Sequence, residues 1–160
     1  MKIKFFTAGG TIDKIYFDKK NDYHVGEPQI ETLLKLANVT FEYEITSLLK
    51  KDSLDFTDED RQLLYSAVAN DSHERIVITH GTDGMVKTAQ FLKKIPNKII
   101  ALTGSAHPAL FRDTDASFNV GCAITAVQTL PSGVYIAMNG QIFDPEKCRK
   151  NVERSCFEVI

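Results

Sequence analysis

The sequence predicts an α/β protein in which an open parallel sheet carries helices on both faces, three layers in all. Two observations point there. Apolar runs of about five residues alternate with longer stretches whose apolar residues recur at helical spacing, the pattern that builds parallel strands joined by crossover helices. Several of the runs also end in turns rich in glycine and hydroxyl residues, where such sheets carry their polar loops. The 160 residues, 43% hydrophobic and 25% charged, suit one globular domain spanning 1–160.

Taken in order, strands are expected at Ile3 to Thr7, Val39 to Thr46, Arg75 to Thr79, Lys98 to Leu102 and Val134 to Met138. The second alternates, with Val39, Phe41, Tyr43 and Ile45 on one side and Thr40, Glu42, Glu44 and Thr46 on the other, so it belongs near an edge. A first helix follows Pro28, which suits the first helical position, and buries Ile30, Leu33, Leu34 and Ala37. The second opens with Thr57 as cap and Asp58, Glu59 and Asp60 at the positive end of the helix dipole, burying Leu63, Leu64, Ala67 and Val68. A third carries Met85, Ala89 and Leu92, and a fourth covers Ala116 to Thr129.

Charge and cysteine content narrow the partners. Nineteen basic against 21 acidic residues give net charge −2, which argues against nucleic acid or an anionic membrane surface and for a small-molecule partner. The apolar start, Met1 to Phe6, reaches polar residues by Thr11, too short for a signal peptide or a membrane span. Cys122, Cys148 and Cys156 lack C-x-x-C spacing, and reduced thiols in a cytoplasmic protein fit them. The four histidines show no metal-ligand spacing, so no metal site is expected.

The turns carry the chemistry. The first strand runs into Ala8-Gly9-Gly10-Thr11-Ile12, the third into His80-Gly81-Thr82-Asp83-Gly84, the fourth into Thr103-Gly104-Ser105. Paired glycines let amides point at an anion, or they make a tight turn with no ligand; no P-loop lysine or G-x-G-x-x-G supports a nucleotide. Thr82 beside Asp83 offers a hydroxyl and a carboxylate, although Asp83 also suits a helix cap. His80, at a strand end, reads as a satisfied core histidine rather than a base.

Together, A-G-G-T-I and H-G-T-D resemble the bacterial-type L-asparaginase family, amidohydrolases with a threonine nucleophile. Tyr23-His24-Val25-Gly26 resembles the family's tyrosine on its mobile loop, and Asp52-Ser53-Leu54-Asp55 its substrate-binding serine turn. Leu102 to Asn119 is similar to the family's G-A-M-R-P segment, and Met138-Asn139, Asp144 and Lys150 lie at the spacing that leads to its catalytic lysine.

The resemblance implies a flavodoxin-like domain, hydrolysis of L-asparagine to L-aspartate and ammonia, and no cofactor. It implies Thr11 as first nucleophile, Tyr23 as its activating partner, and Thr82, Asp83 and Lys150 as a hydrogen-bonded triad. Ser53 and Asp83 would hold the substrate's α-carboxylate and α-amino groups; Gly10 and Ser105 complete the expected substrate-binding set. Amide hydrolysis needs a nucleophile, a proton relay and oxyanion donors, and these turns contain candidates for each. Read without the family, Lys150 is one more cation in Lys147-Arg149-Lys150.

Longer members add a second domain after the lysine, absent from these 160 residues, that closes a neighbour's site; a homo-oligomer, most simply a homodimer, is therefore expected. His107 stands where the family usually has arginine and Ala8 where it usually has threonine. A non-catalytic amino-acid-binding module, or an amidase of different specificity, is the alternative.

Overall fold

A computed structural model describes residues 1–17 and 21–160. Its elements in chain order are β1 (Lys2–Gly9), β2 (Lys14–Phe17), β3 (Asp22–Val25), α1 (Ile30–Leu36), β4 (Glu42–Lys51), α2 (Asp58–Asn70), β5 (Arg75–Thr79), α3 (Met85–Leu92), β6 (Ile99–Thr103), α4 (Ala116–Thr129), β7 (Gly133–Met138), β8 (Gln141–Phe143), β9 (Cys148–Asn151) and β10 (Cys156–Val159). The main sheet has the order β4-β1-β5-β6-β7-β8, parallel except where β8 turns back against β7. Its five parallel strands follow the flavodoxin-like order, whose switch point lies between β1 and β5.

Strand alternation fills both faces. Phe6, Ile76, Ile78, Ile100, Leu102 and Ile136 pack under α2 and α3, while Ile3, Phe5, Val77 and Ala101 pack under α1 and α4. Each large aliphatic side chain removed from water in this way contributes about 1.5–3 kcal/mol. The central strands β5 and β6 are buried on both faces and accordingly read as unbroken apolar runs. β4 lies at the edge, and Tyr43 and Ile45 turn inward against the α1/α4 side, as its alternation predicts.

The strand Arg75–Thr79 and helix Ala116–Thr129 have the expected bounds; other elements correct the sequence reading. β4 starts at Glu42, so Val39 to Phe41 precede it, although Val39 and Phe41 still pack on the core. Pro28 precedes the helix cap, Gln29, and Ala37 follows the last helical residue and is exposed. Leu63 points outward, 48% exposed. The buried stripe of α2 is set by Arg61, whose Nη1 donates to the Phe56 and Thr57 carbonyls. Leu64 and Val68, three and seven residues on, are then buried, and Leu63 is about 100° round the helix from Leu64.

Thr57 caps α2 with a reciprocal box: Asp60 N–H donates to Thr57 Oγ1 at 3.2 Å and Thr57 N–H to Asp60 Oδ2 at 2.9 Å. Thr57→Ala removes one half of it and is expected to cost about 1 kcal/mol, read as a lower urea midpoint with unchanged m; an unchanged midpoint would show the cap to be dispensable. All three cysteines are free, Cys148 in the core. Among the described residues no helix is long and apolar enough to cross a membrane.

Candidate active site

The turns after β1 and β5 meet at the switch point. Gly10 has φ +90°, and a Cβ there would come within 2.4 Å of Gly81 Cα, so the two backbones touch and only glycine fits. The Gly10 N–H is taken by the Lys51 carbonyl at 2.9 Å. Instead of pointing that amide at an anion, the glycine turn brings Thr11 up beside the turn that carries Thr82.

Thr11, Thr82, Asp83 and Lys150 line one recess of about 110 Å³. Within it Lys150 Nζ donates to Thr82 Oγ1 at 2.8 Å and to Asp83 Oδ1 at 2.5 Å. Asp83 therefore pairs with the lysine and does not cap α3, whose N-cap is Gly84. The lysine side chain is 18% exposed and that of the aspartate 36%. Ala106, Met138, Ser155 and Phe157 complete the lining. None of these four has an ionisable group, so composition offered no signal for them; their place follows from which loops converge.

Lys150 is held far more firmly than its nearness to the last residue suggests. β9 pairs with β10, with Lys150 opposite Phe157, and Phe157 is buried against Phe143. From there a chain of side-chain bonds runs across the sheet end. Phe157 N–H donates to Asn139 Oδ1, Asn139 N–H to Asn119 Oδ1, and Asn119 Nδ2 to the Gly104 carbonyl and to Asp115 Oδ2. Asp115 also accepts the amides of Ala106 and His107. The lysine hairpin, the β6 turn and α4 are thus one hydrogen-bonded unit. Ser105 belongs to it: it is 1% exposed and its hydroxyl donates to the His107 carbonyl at 2.5 Å.

Tyr23 and Ser53 lie outside the small recess. Tyr23, 45% exposed, is on the β2–β3 hairpin and shares with Thr11 a neighbouring depression. Ser53 is 4% exposed, its Oγ has no partner among the described residues, and a Cβ on Gly81 would meet that hydroxyl at 2.5 Å. It backs the Thr82 turn from beneath.

Two buried titratable groups support the turns. His80 is fully buried, its Nδ1 2.8 Å from the Gly81 carbonyl and its Nε2 3.0 Å from Thr88 Oγ1; burial pushes its pKa down to about 4, so it is a neutral core histidine. Asp13 is 1% exposed and ties three pieces together: its N–H donates to the Gly10 carbonyl, its carbonyl accepts from Gly26, and its carboxyl accepts the Gln29 N–H at 2.9 Å. Burial, partly offset by that bond and by Lys50, raises its pKa to about 7. Sequence reading missed Asp13 because nothing local marks it as buried. Among the described residues no three His, Cys, Asp or Glu side chains gather as a metal site requires.

Against known families, the asparaginase N-terminal model matches residues 2–158. The chain belongs to the asparaginase family. It is 31% identical over 155 residues to a protein of Haemophilus influenzae named probable periplasmic L-asparaginase, covering 88% of this chain and 43% of that one. An L-asparaginase of Thermococcus kodakarensis is 30% identical over 151 residues, 89% of this chain and 45% of the relative. The solved thermostable L-asparaginase of that organism superposes on all of this chain and 51% of its own, with TM-score 0.83 and 26% identity. The chain spans about half the length of the relatives it matches.

Proposed function

We propose that this protein is an amidohydrolase that converts L-asparagine to L-aspartate and ammonia. The observation that carries the reading is the single recess shared by Thr11 and the Thr82–Lys150–Asp83 cluster, at the switch point of a domain whose relatives are named L-asparaginases. Thr11 is the nucleophile: its hydroxyl oxygen adds to the side-chain amide carbon, with Tyr23, on the hairpin beside it, as activating partner. Thr82 and Lys150 form the relay, in which the lysine amine holds and returns a proton and Asp83 keeps it oriented.

Substrate recognition uses Asp83 for the α-amino group; Ser53, assigned to the α-carboxylate, is 4% exposed behind the Thr82 turn, so its hydroxyl meets substrate only if that turn shifts. Gly10 and Ser105 act by shaping the turns around them, since the Gly10 amide and the Ser105 hydroxyl are both engaged within the protein. No cofactor takes part in this scheme. A homo-oligomer in the cytoplasm remains part of the same reading.

The small volume of the recess favours the shorter substrate. Purified protein is expected to release ammonia from L-asparagine faster than from L-glutamine, with no loss in chelator. Binding of asparagine without ammonia release would instead identify an amino-acid-binding module.

A further inference from the structure

A row of hydroxyls crosses the carboxyl end of the main sheet and takes no part in the chemistry above. Thr7 on β1 stands opposite Ser47 on β4 and Thr79 on β5, and Thr79 stands opposite Thr103 on β6. Side chains at matched positions of neighbouring strands point to the same face. Phe5, Val77 and Ala101, each two residues earlier on its strand, pack on the α1/α4 side. Ser47, Thr7, Thr79 and Thr103 therefore form one line on that side.

Ser47 is exposed at the sheet edge, whereas Thr7, Thr79 and Thr103 are all 0% exposed. Thr103 is satisfied, since its hydroxyl donates to the Ala137 carbonyl at 2.9 Å. Thr7 Oγ1 and Thr79 Oγ1 are buried with no hydrogen-bond partner among the described residues. Two such hydroxyls side by side are costly, because each gave up water on folding and gained no protein partner in exchange. The ladder next to them is also broken. Beyond Thr7 the β1–β4 register slips until Gly9 stands opposite Lys51, so Leu48, Leu49 and Lys50 face Ala8 alone. A slip of this kind takes backbone donors and acceptors out of the ladder.

We propose that Thr7 and Thr79 hold an ordered water molecule between them, buried on the α1/α4 side of the sheet. Each hydroxyl can both donate and accept, as water does, and a buried water takes about three partners. The two threonines supply two of them, and a backbone group freed at the slip supplies the third. The row contains no charged side chain, which suits a neutral ligand rather than an ion. The water joins β1 and β5 just before the turns that carry Thr11 and Thr82, and it belongs to the fold whether or not those turns hydrolyse asparagine.

Urea unfolding of Thr7→Val, Thr79→Val and the double variant tests this. Valine keeps the β-branched shape and strand preference of threonine and lacks the hydroxyl. With a shared water, each single variant leaves the water and the other hydroxyl short of a partner, and the folding equilibrium constant is expected to fall about tenfold. The double variant removes both hydroxyls and the need for the water, so it should be at least as stable as either single variant. Single variants as stable as the original protein or more so, or losses that add in the double variant, would overturn the proposal. A crystal structure of the unaltered protein gives a second answer that does not depend on how the variants fold. Density within about 3.2 Å of both hydroxyl oxygens is expected, and a map that shows other buried waters but none at this place would overturn the proposal.

Discussion

Lys150→Met is expected to slow amide hydrolysis by about a hundredfold or more, the scale of a lost general acid–base group, with folding little changed. Methionine keeps much of the length and packing of the lysine stem but holds no proton, so the bonds to Thr82 Oγ1 and Asp83 Oδ1 disappear. Asp83 is 36% exposed, so its carboxylate is left partly solvated and the fold bears little penalty. Thr11→Ala and Thr82→Ala should each lose a similar factor, and because the three act together the double variants should lose far less than the product. The decisive measurement is kcat beside KM: a fall in kcat with KM near its original value assigns the lysine to proton transfer. Wild-type turnover in Lys150→Met would make the lysine a structural cation and leave Thr82 without its relay.

A second large effect concerns stability. Asp13 titrates near 7 in the folded protein against about 3.9 when unfolded. Its folded pKa is raised, so its contribution is fully present below about pH 4 and is lost as pH rises through 7, a change on the order of 4 kcal/mol. Asp13→Asn keeps an oxygen for the Gln29 N–H but cannot ionise. The variant should therefore gain stability relative to wild type as pH rises from 5 to 8, by a few kcal/mol at the upper end. His80 works in the opposite direction: with its pKa depressed to about 4, its stability is present above about 6.5 and lost as pH falls towards 4. Both proteins share that term, so the difference between their urea unfolding curves isolates Asp13. A difference that stays constant from pH 5 to pH 8 would show that folded Asp13 is already ionised below pH 5, and that its pKa is not raised. The site has a stake in the result, because Asp13 binds the nucleophile turn, the Tyr23 hairpin and the start of α1 to one another.

What the sequence determined by itself is the set of features encoded within a few residues of one another. The apolar run Arg75–Thr79, the helix Ala116–Thr129 and the Thr57 cap are legible because burial on both faces, helical periodicity and capping each write a local pattern. The glycine and threonine turns were legible for the same reason. Five short strands, β2, β3, β8, β9 and β10, were not foreseen, since runs of three or four residues such as Cys148–Asn151 carry too little periodicity and form only because a partner strand lies alongside.

Apart from the family resemblance, which implied the Thr82–Asp83–Lys150 triad, only the tertiary structure decided which of the polar residues meet. Lys150 reaches Thr82 across 68 positions of sequence, and it is kept there by Phe157, Asn139, Asn119 and Asp115, whose side chains say nothing of this singly. It also decided the burial of Asp13 and the position of Phe111 beside Thr11. The physical reason is common to all three. A hydrogen bond, a desolvation penalty or an aromatic contact depends on distance in space, and the crossovers that set those distances are fixed by packing both faces of the sheet at once.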